Sequence, residues 1–564
     1  HPARLKVAIA WHMHPPEYRD LATGEYTQPW TYLHAIPDYA DMAAHLEAVP
    51  QVRLTVNFAP VLLEQIDDYA QQLERHLQGQ GALSDPLLAA LAAPAPPADP
   101  KARLALVSQC LRANRARLIE RFAPYRQLAR IADLFLNEPT PIAYAGDQFF
   151  ADLVAWYHLA WLGESVRRTD ARVQSLIEAG TGFTAGQRRV LLEVVADQIA
   201  GLRGRYRRLA ERGQIELAMS PYAHPMLPLL LDFSAARDAL PQSALPTAAG
   251  YPGGRERVRW HLRRGISIFE RWFGTRPIGC WPSEGGVSDA ALECIAAEGF
   301  RWVATGEAVL RNSVQRAFGG IEHDAAHRLW RHAPSGLKLI ARDDGLSDQI
   351  GFTYATWHGD DAAEDLVNRL GNIADQRRGD PTACVAIILD GENAWEYYPE
   401  NGWHFLSRLY RRLAEHPRLN LVTPCELAEK DARELPSLVA GSWVYGTFST
   451  WIGAPEKNRG WDLLCEAKAA FDDRLRSGMP DAVRERLEVQ LGVCEGSDWF
   501  WWFGDYNPAA AVSDFERLYR LQLANLYRLL ERAPPPALEI VLSQGAGMPA
   551  AGGVMRSNQP GTAG

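Results

Sequence analysis

The sequence predicts an α/β fold: a β/α barrel of seven or eight strands with a large helical insertion and a C-terminal helical domain. Three observations predict it. Short apolar runs that end abruptly in polar residues recur along the 564 residues, which is typical of buried parallel strands. Segments with helical spacing separate most of these runs, as in a β/α barrel. One long helical stretch interrupts the alternation, and helices without strong strands follow residue 430.

Eight runs are candidate barrel strands. Each is short, apolar or β-branched, and followed by polar residues or a turn. They are residues 5–11, 52–57, 214–219, 277–281, 301–305, 337–341, 384–389 and 419–423.

The stretch from about residue 62 to 212 lies between the second and third candidate strands. It is rich in Leu, Ala, Arg and Glu at helical spacing, and its last helix begins with a capping box from Thr184 to Gln187. Insertions of this length inside a barrel are usually functional, so we expect it to form one wall of a cleft. We expect residues 1–430 to form the catalytic barrel domain, 431–543 a mainly helical domain with a short β-like stretch near 442–448, and 544–564 a disordered tail.

Composition excludes several classes of partner. The formal net charge is −9, from 68 acidic and 59 basic residues without long runs of either sign, so we expect neither a nucleic acid nor a membrane partner. No apolar run approaches the ~18 residues of a transmembrane helix. The seven cysteines include no CxxC pair, which argues against a disulfide framework and a cysteine zinc site and favours a cytoplasmic location.

Residues able to do chemistry follow the ends of four candidate strands. A β/α barrel collects its active site where the strands finish. The first strand is followed by His12 and His14, and the third by His224. The fourth leads into Trp281 and Glu284, and the seventh into Asp390 and Glu392.

A pair of carboxylates at two strand ends is the informative part of this pattern. A lone carboxylate there is more often a helix cap or a loop ion pair. Glu284 and Asp390 together are harder to explain structurally, because each would be desolvated near a like charge. Glycoside hydrolysis requires such a pair, one to attack or stabilise the anomeric carbon and one to protonate the leaving oxygen. The 18 Trp residues could supply stacking faces for sugars, although we expect most of them in the core.

Two other interpretations remain open on the residues alone. His12, His14 and His224, with Asp343 or Asp390, could bind zinc in a deacetylase or a metal-dependent mannosidase. That interpretation leaves Glu284 without a role. A carbohydrate-binding protein without turnover is the second alternative, and intact catalytic carboxylates count against it. Asp498, beside the aromatic residues 499–502, is more typical of core packing than of a sugar subsite.

Seven segments, in order, resemble conserved regions of glycoside hydrolase family 57, in its amylopullulanase-like and α-amylase-like branch. The resemblance spans nearly the whole chain. The segments are HMHPP, GQIELAMSPYAHPMLPLL, GCWPSEGGVSD, ARDDGLSDQIGFTY, ILDGENAWEYYPENG, WIGAPEKNRGWD and EGSDWFWWFGD.

The resemblance implies a (β/α)7 barrel followed by helices, retention of anomeric configuration on an α-glucan oligo- or polysaccharide, and no metal cofactor. Hydrolysis and transfer between glucans both remain possible, because they share one intermediate. By the same resemblance, Glu284 is the nucleophile and Asp390 the acid/base. The implied substrate-binding residues are His12, His14, His224, Trp281, Arg342, Asp343, Asp348 and Trp451. Glu392 is a further candidate sugar ligand.

Two positions depart from the family pattern. Pro15 stands where members commonly have Gln, and Ala454 where they often have His, which puts one sugar hydrogen bond and the acceptor preference in doubt.

A retaining mechanism also predicts the charge states of the two carboxyl groups. We expect Glu284 to be ionised in the free enzyme and Asp390 to be protonated.

Overall fold

Seven parallel strands form a closed barrel in the computed structural model, which describes residues 3–320 and 322–548. In chain order, the barrel strands are β1 (Leu5–Met13), β2 (Leu54–Phe58), β3 (Ile215–Met219), β4 (Gly279–Cys280), β5 (Trp302–Gly306), β6 (Lys338–Arg342) and β7 (Cys384–Asp390). Each strand pairs with the next one in sequence, and β7 pairs with β1 from Lys6 opposite Cys384 to His12 opposite Asp390. The predicted barrel is confirmed, with seven strands.

The eighth candidate lies outside the ring. It forms the strand Leu419–Leu421, which among the described residues pairs with the first residues of β1 alone, and β1 also pairs with β7 there. The fourth candidate is much shorter than predicted, since only two residues of β4 are paired. Trp330–His332 pairs antiparallel with β6 and parallel with Arg433–Leu435, and Arg19–Asp20 forms a hairpin with Glu25–Tyr26. All seven residues of β7 are buried, which explains its unbroken apolar run.

Helices fill the connections between strands. Between β1 and β2 lie Trp30–His34 and Ala40–Ala48, joined by a π-helical turn. The predicted insertion between β2 and β3 is helical, with Pro60–Leu77, Pro86–Ala92, Pro100–Gln109, Ala123–Asn137, Asp147–Trp161, Glu164–Thr169, Ala171–Ala179 and Ala185–Glu211. The last of these has the predicted capping box. Later connections contain Leu227–Leu231, Ala236–Ala239, Gly254–Phe273, Asp289–Ala297, Glu307–Phe318, Asp344–Asp348, Gly359–Gln376, Trp403–Glu415 and Pro424–Leu427.

The C-terminal region is helical, as predicted. Its helices are Pro455–Arg476, Asp481–Cys494, Ser497–Trp502 and Ala509–Leu529. The predicted β-like stretch at 442–448 is a turn, with one bridge between Gly441 and Val287. Of the predicted tail, residues 549–564 lie outside the described residues, whereas Ala546 and Gly547 donate backbone hydrogen bonds to Asp505 and Asn507. In the part of the chain that the structure covers, no helix combines the length and apolarity needed to cross a membrane.

Candidate active site

The four predicted strand exits converge at one end of the barrel. Because parallel strands finish at the same edge, the residues after β1, β3, β4 and β7 become neighbours despite their separation in sequence. The exits of β1, β4 and β7 border a cavity of about 580 Å³, whose wall includes His12, His14, Glu284 and Asp390. His224, after β3, lies behind His14. The helical insertion contributes Arg112, Ala113, Asn114 and Trp161 to the same wall, as expected for one side of a cleft.

Glu284 sits in a strained backbone conformation just beyond β4. Its φ is 61° and its ψ 21°, in the left-handed region that costs a non-glycine residue about 1–2 kcal/mol. His224 beyond β3 has the same φ of 61°. Gly285 is also left-handed, and a Cβ there would lie 2.9 Å from the Trp281 ring and 3.1 Å from Trp443. The turn therefore requires glycine beside Glu284, and the strain falls on two predicted site residues.

Both oxygens of the Glu284 carboxyl group accept hydrogen bonds. Ser497 Oγ donates to Oε1 at 3.1 Å, and Trp443 Nε1 donates to Oε2 at 3.1 Å. The residue is only 6% exposed. Two donors on a buried carboxyl group favour its ionised form and fix the orientation of its plane.

Asp390 ends β7 and is equally buried. Asn393 Nδ2 donates to its Oδ2 at 2.8 Å. Two residues later, Glu392 accepts a hydrogen bond from the backbone N–H of His14 at 3.2 Å, and its Oε2 has no hydrogen-bond partner among the described residues. Burial raises the pKa of Glu392 well above its usual value, and its side chain lines the cavity.

The expected direction of the pKa shift holds for Asp390 but not for Glu284. Burial raises the pKa of Glu284 to about 8, although the positive charge of His14 opposes the rise. Burial also raises the pKa of Asp390, again against His14. This rise runs against the expectation that Glu284 is ionised in the free protein. The physical reason is burial, to which the negative charges of Asp498 and Asp390 add.

Three histidines stack beside these carboxyl groups. The rings of His14 and His224 lie face to face with centroids 3.7 Å apart, and His12 lies 5.2 Å from His224. His14 Nε2 binds both carboxylate oxygens of Asp498, at 2.8 and 3.1 Å. Burial lowers the pKa of His14, but Asp498 outweighs it and the net pKa is about 9. Burial lowers the pKa of His12 and of His224 well below 6.5, and the charge of His14 lowers both further.

The same three rings are the candidate metal site. One nitrogen from each lies within 4.8 Å of the others. However, imidazole lone pairs lie in the ring plane, and the planes of His14 and His224 are stacked and only 17° from parallel. Two stacked rings cannot both direct a lone pair at one ion about 2 Å away. The Nε2 atoms of His12 and His224 are instead 3.2 Å apart, in hydrogen-bond contact. The arrangement fits hydrogen bonding better than metal binding.

Of the remaining predicted substrate-binding residues, one lines the cavity and the others lie behind its wall or in the core. Arg342 lines the cavity and lies 5.4 Å from the Trp443 ring centre. Asp348 and Asp343 lie behind it, where Asp348 binds Arg342 at 3.0 Å and Asp343 caps a helix and binds His327. Trp281 packs behind Trp443, and His224 lies behind His14. Trp451 is fully buried and is not part of the cavity wall, because its ring faces the core.

Several residues that sequence reasoning missed or discounted complete the site. Trp443 and Ser497 contact Glu284, and Asp498 binds His14. The wall further includes Trp30, Tyr39, Trp161, Trp501, Trp502 and Phe515. The sequence around Asp498 is typical of core packing, but Asp498 faces the cavity. The sequence feature that could have indicated this part of the site is a pair of polar residues, Ser497 and Asp498, directly before the aromatic residues 499–502.

The segment that carries Ser497 and Asp498 is fixed to the barrel. Glu495 is fully buried, where it accepts from Arg257 at 2.8 Å, contacts His261 at 2.9 Å and bonds to the Tyr251 hydroxyl. The backbone N–H of Ser497 donates to the carbonyl of His224 at 2.8 Å. These contacts place the C-terminal residues on the exit of β3.

Comparisons with known proteins agree with this architecture. A crystal structure of a family 57 branching enzyme from Thermococcus kodakaraensis matches 93% of the chain and 90% of its own, with TM-score 0.57 and 14% identity. An α-amylase from Thermotoga maritima matches 94% and 93%, with TM-score 0.55 and 14% identity. A 4-α-glucanotransferase from Thermococcus litoralis matches 93% and 60%, with TM-score 0.52 and 13% identity.

At these identities the structures show the fold alone. No curated protein sequence matches the chain significantly. The family described as glycosyl hydrolase family 57 matches residues 8–437, which is most of the chain and includes every strand of the barrel except the first residues of β1. That match also covers both Glu284 and Asp390. The chain therefore belongs to glycosyl hydrolase family 57 and is an enzyme of the glycosidase class.

Proposed function

We propose that the enzyme is a retaining glycoside hydrolase of the α-amylase or amylopullulanase type, which cleaves α-linked glucans through a glycosyl-enzyme intermediate. The observation that carries the proposal is the pair of buried carboxyl groups, Glu284 and Asp390, in the wall of one cavity. In this proposal Glu284 is the nucleophile and Asp390 the general acid/base. Retention requires the two groups to be about 5–5.5 Å apart across the scissile bond.

The lining of the cavity supports a glucan substrate. Trp30, Trp161, Trp443, Trp501 and Trp502 offer flat apolar faces, and sugar rings pack against such faces through their C–H groups. Hydroxyl groups would find partners in Arg342, Glu392 and Asn393, which face the same space. The α-linkage is supported by the similar solved structures, which include an α-amylase, a 4-α-glucanotransferase and branching enzymes.

The proposed reaction has two steps. In the first, ionised Glu284 attacks the anomeric carbon while Asp390 gives its proton to the leaving oxygen, so the glycosidic bond breaks and an ester to Glu284 forms. In the second, Asp390 takes a proton from a water molecule, whose oxygen attacks the anomeric carbon and releases Glu284. Two inversions at one carbon give net retention.

Azide rescue tests the role of Glu284. Glu284→Ala should lose at least about 10⁴-fold in kcat, because no group remains to form the ester. Added azide can then enter the vacated space and yield a glycosyl azide of inverted configuration, detectable by NMR. Near-normal turnover of Glu284→Gln, or an azide product of retained configuration, would reject the assignment.

Transfer to another glucan is the second candidate activity. A sugar hydroxyl in place of water in the second step gives a 4-α-glucanotransferase or a branching enzyme from the same intermediate. The extended aromatic wall, with Trp501, Trp502 and Phe515 contributed by the C-terminal region, favours an acceptor sugar as well as a donor. Product analysis on amylose, pullulan and glycogen distinguishes these outcomes. Reducing ends increase on hydrolysis but not on transfer, and new α-1,6 linkages identify branching.

Two further parts of the proposal concern metal and location. Activity should survive exhaustive treatment with EDTA, because two carboxyl groups are sufficient for this chemistry; loss on chelation with rescue by zinc would transfer the case to a metal-dependent deacetylase or mannosidase. A cytoplasmic location is supported by the seven cysteines, all present as free thiols. Fractionation of source cells with an antibody against the protein would test it.

A further inference from the structure

A line of hydrogen bonds runs from the barrel interior to Glu284. Asn57 Nδ2 on β2 lies 2.7 Å from His12 Nδ1, and His12 Nε2 lies 3.2 Å from His224 Nε2. His224 Nδ1 lies 2.8 Å from Ser497 Oγ, which lies 3.1 Å from Glu284 Oε1. Asn57, His12, His224 and Ser497 are each at most 2% exposed. The line therefore connects two barrel strand exits to the C-terminal region without passing through solvent.

The direction of donation along this line is fixed at its inner end. Ser220 Oγ donates its only proton to the carbonyl of Trp281 at 2.7 Å, so it must accept from Asn57, 3.0 Å away. The amide group of Asn57 consequently points its NH₂ toward Ser220. The same NH₂ faces His12 Nδ1, which must then be an acceptor.

Each later bond follows from the one before it. A neutral imidazole that accepts at one nitrogen carries its proton on the other, so His12 donates from Nε2 to His224 Nε2. His224 then carries its proton on Nδ1 and donates to Ser497. Ser497 has one hydroxyl proton, and Glu284 is its acceptor. The two histidines are thus held in opposite tautomers, and every bond points toward the nucleophile.

We propose that Ser497 is a positioning residue for the nucleophile, at the end of a one-way hydrogen-bond chain from Asn57 through His12 and His224 that keeps a donor on Glu284 Oε1. The inference rests on the proposed role of Glu284. Ser497 is absent from the cavity wall, so it acts through Glu284 and not on the substrate. The chain also gives His12 and His224 a role distinct from direct sugar binding.

Charge neutrality of the two imidazoles is what makes the chain directional. An imidazolium donates from both nitrogens and could not accept from Asn57 or His12. Burial and the adjacent charge of His14 lower the pKa of both rings, which favours their neutral forms. The charged or titratable groups that face Glu284 itself are His14, His224, Asp390 and Asp498. Asp390 and Asp498 raise the pKa of Glu284, and the Ser497 donor counteracts them.

The first test compares Ser497→Ala, Ser497→Thr and Ser313→Ala. Removal of the donor should raise the pKa of Glu284, so the acid limb of the kcat/KM profile moves to higher pH by about one unit. At a fixed pH of 7, kcat/KM should fall about tenfold or more, and KM should change little. Ser497→Thr keeps the hydroxyl and should restore the profile. Ser313 is an equally buried serine outside the site, so Ser313→Ala controls for loss of a buried hydroxyl group.

The second test reads the tautomers without any activity assay. Long-range ¹H–¹⁵N spectra of the full chain labelled with [¹⁵N]histidine, assigned with His12→Gln and His224→Gln variants, should show His12 protonated at Nε2 and His224 at Nδ1. The same tautomer in both rings, or protonation of either ring at pH 7, would overturn the proposal. So would a pH profile of Ser497→Ala that superimposes on the parent enzyme.

Azide rescue and the tautomer measurement together separate this inference from the proposed function. If azide rescue fails but the opposite tautomers are found, the directional hydrogen-bond chain exists and Glu284 has another role. If azide rescue succeeds and the tautomers are wrong, Glu284 is the nucleophile and the directional chain is rejected. An unfolded Ser497→Ala variant would leave the NMR measurement on the parent chain decisive.

Discussion

The barrel strand ends and the C-terminal segment 495–502 meet at one site but contribute different things to it. The strand ends supply Glu284, Asp390 and the histidines, each placed by a parallel strand that stops at the same edge. The C-terminal segment supplies Ser497 and Asp498, which contact Glu284 and His14. The strand ends thus carry the groups that are proposed to make and break bonds. The C-terminal segment carries the groups that set the orientation and charge of those groups.

The largest expected effect comes from the barrel side. Asp390→Asn should lower kcat about 10³-fold on a natural glucan, because the leaving oxygen is no longer protonated. A substrate with a good leaving group needs no proton in the first step, so the variant should show a burst and accumulate the ester. Stopped-flow measurements on both substrates check this. Equal losses on the two substrates would assign the acid role elsewhere.

The next largest effect is a loss of stability, caused by a change in the C-terminal segment. Glu495→Gln leaves Arg257 buried without its counter-charge, and we expect the free energy of unfolding at pH 7 to fall by about 3–5 kcal/mol. Burial opposes the charge of Glu495, but Arg257 and His261 outweigh it and lower its pKa to about 2. Its contribution is therefore present above pH 4.5 and is lost as pH falls toward 2.

Urea denaturation across that pH range measures this effect. The difference between parent and variant should shrink steadily as the pH falls below 4.5. Glu485→Gln is the matched control, because Glu485 forms a surface ion pair with Arg264 and its side chain is 72% exposed. A Glu495→Gln variant as stable as this control would show that the buried network does not hold the segment in place.

A smaller effect crosses from the C-terminal segment to the barrel. Asp498→Asn removes the charge that holds the pKa of His14 near 9, and burial then lowers that pKa by about one unit or more. Loss of the negative charge should also lower the pKa of Glu284. NMR titration of His14 checks the first shift. An unchanged titration would mean that Glu284 and Asp390, without Asp498, are sufficient to raise the pKa of His14.

The smallest predicted effect concerns backbone strain at the barrel side. Glu284→Gly should be more stable than Glu284→Ala by about 1 kcal/mol, because glycine adopts φ near 61° without steric cost. Ala290 lies in the helix Asp289–Ala297, where Ala290→Gly should have the opposite sign and a similar size. Paired thermal denaturation of these variants measures both. Equal stability of the two Glu284 variants would mean that the turn relaxes once the glutamate is gone.

Sequence reasoning found the barrel part of the site and missed most of the C-terminal part for a physical reason. A buried parallel strand has a local signature, and its end locates the next polar residue, so the local pattern is sufficient to place Glu284 and Asp390. The contact between His14 and Asp498 depends on packing between residues 484 positions apart, for which no local pattern exists. Trp451 and Trp443 illustrate the same limit. Both follow polar residues, but only the fold decides that Trp443 faces Glu284.

The dependence of Glu284 on Ser497 also has a consequence for biosynthesis. Asp390 leaves the ribosome about a hundred residues before Ser497, a delay of roughly 5–20 s at usual elongation rates. During that interval the barrel would hold both carboxyl groups, but Glu284 Oε1 would lack its Ser497 donor and the His14 ring would lack Asp498. A nascent chain would thus have a lower activity in the proposed reaction until the segment after Glu495 had emerged and packed against the barrel. Ribosome-arrested chains of increasing length would test this, since only those long enough to expose residue 502 outside the ribosome should reach full activity on a glucan.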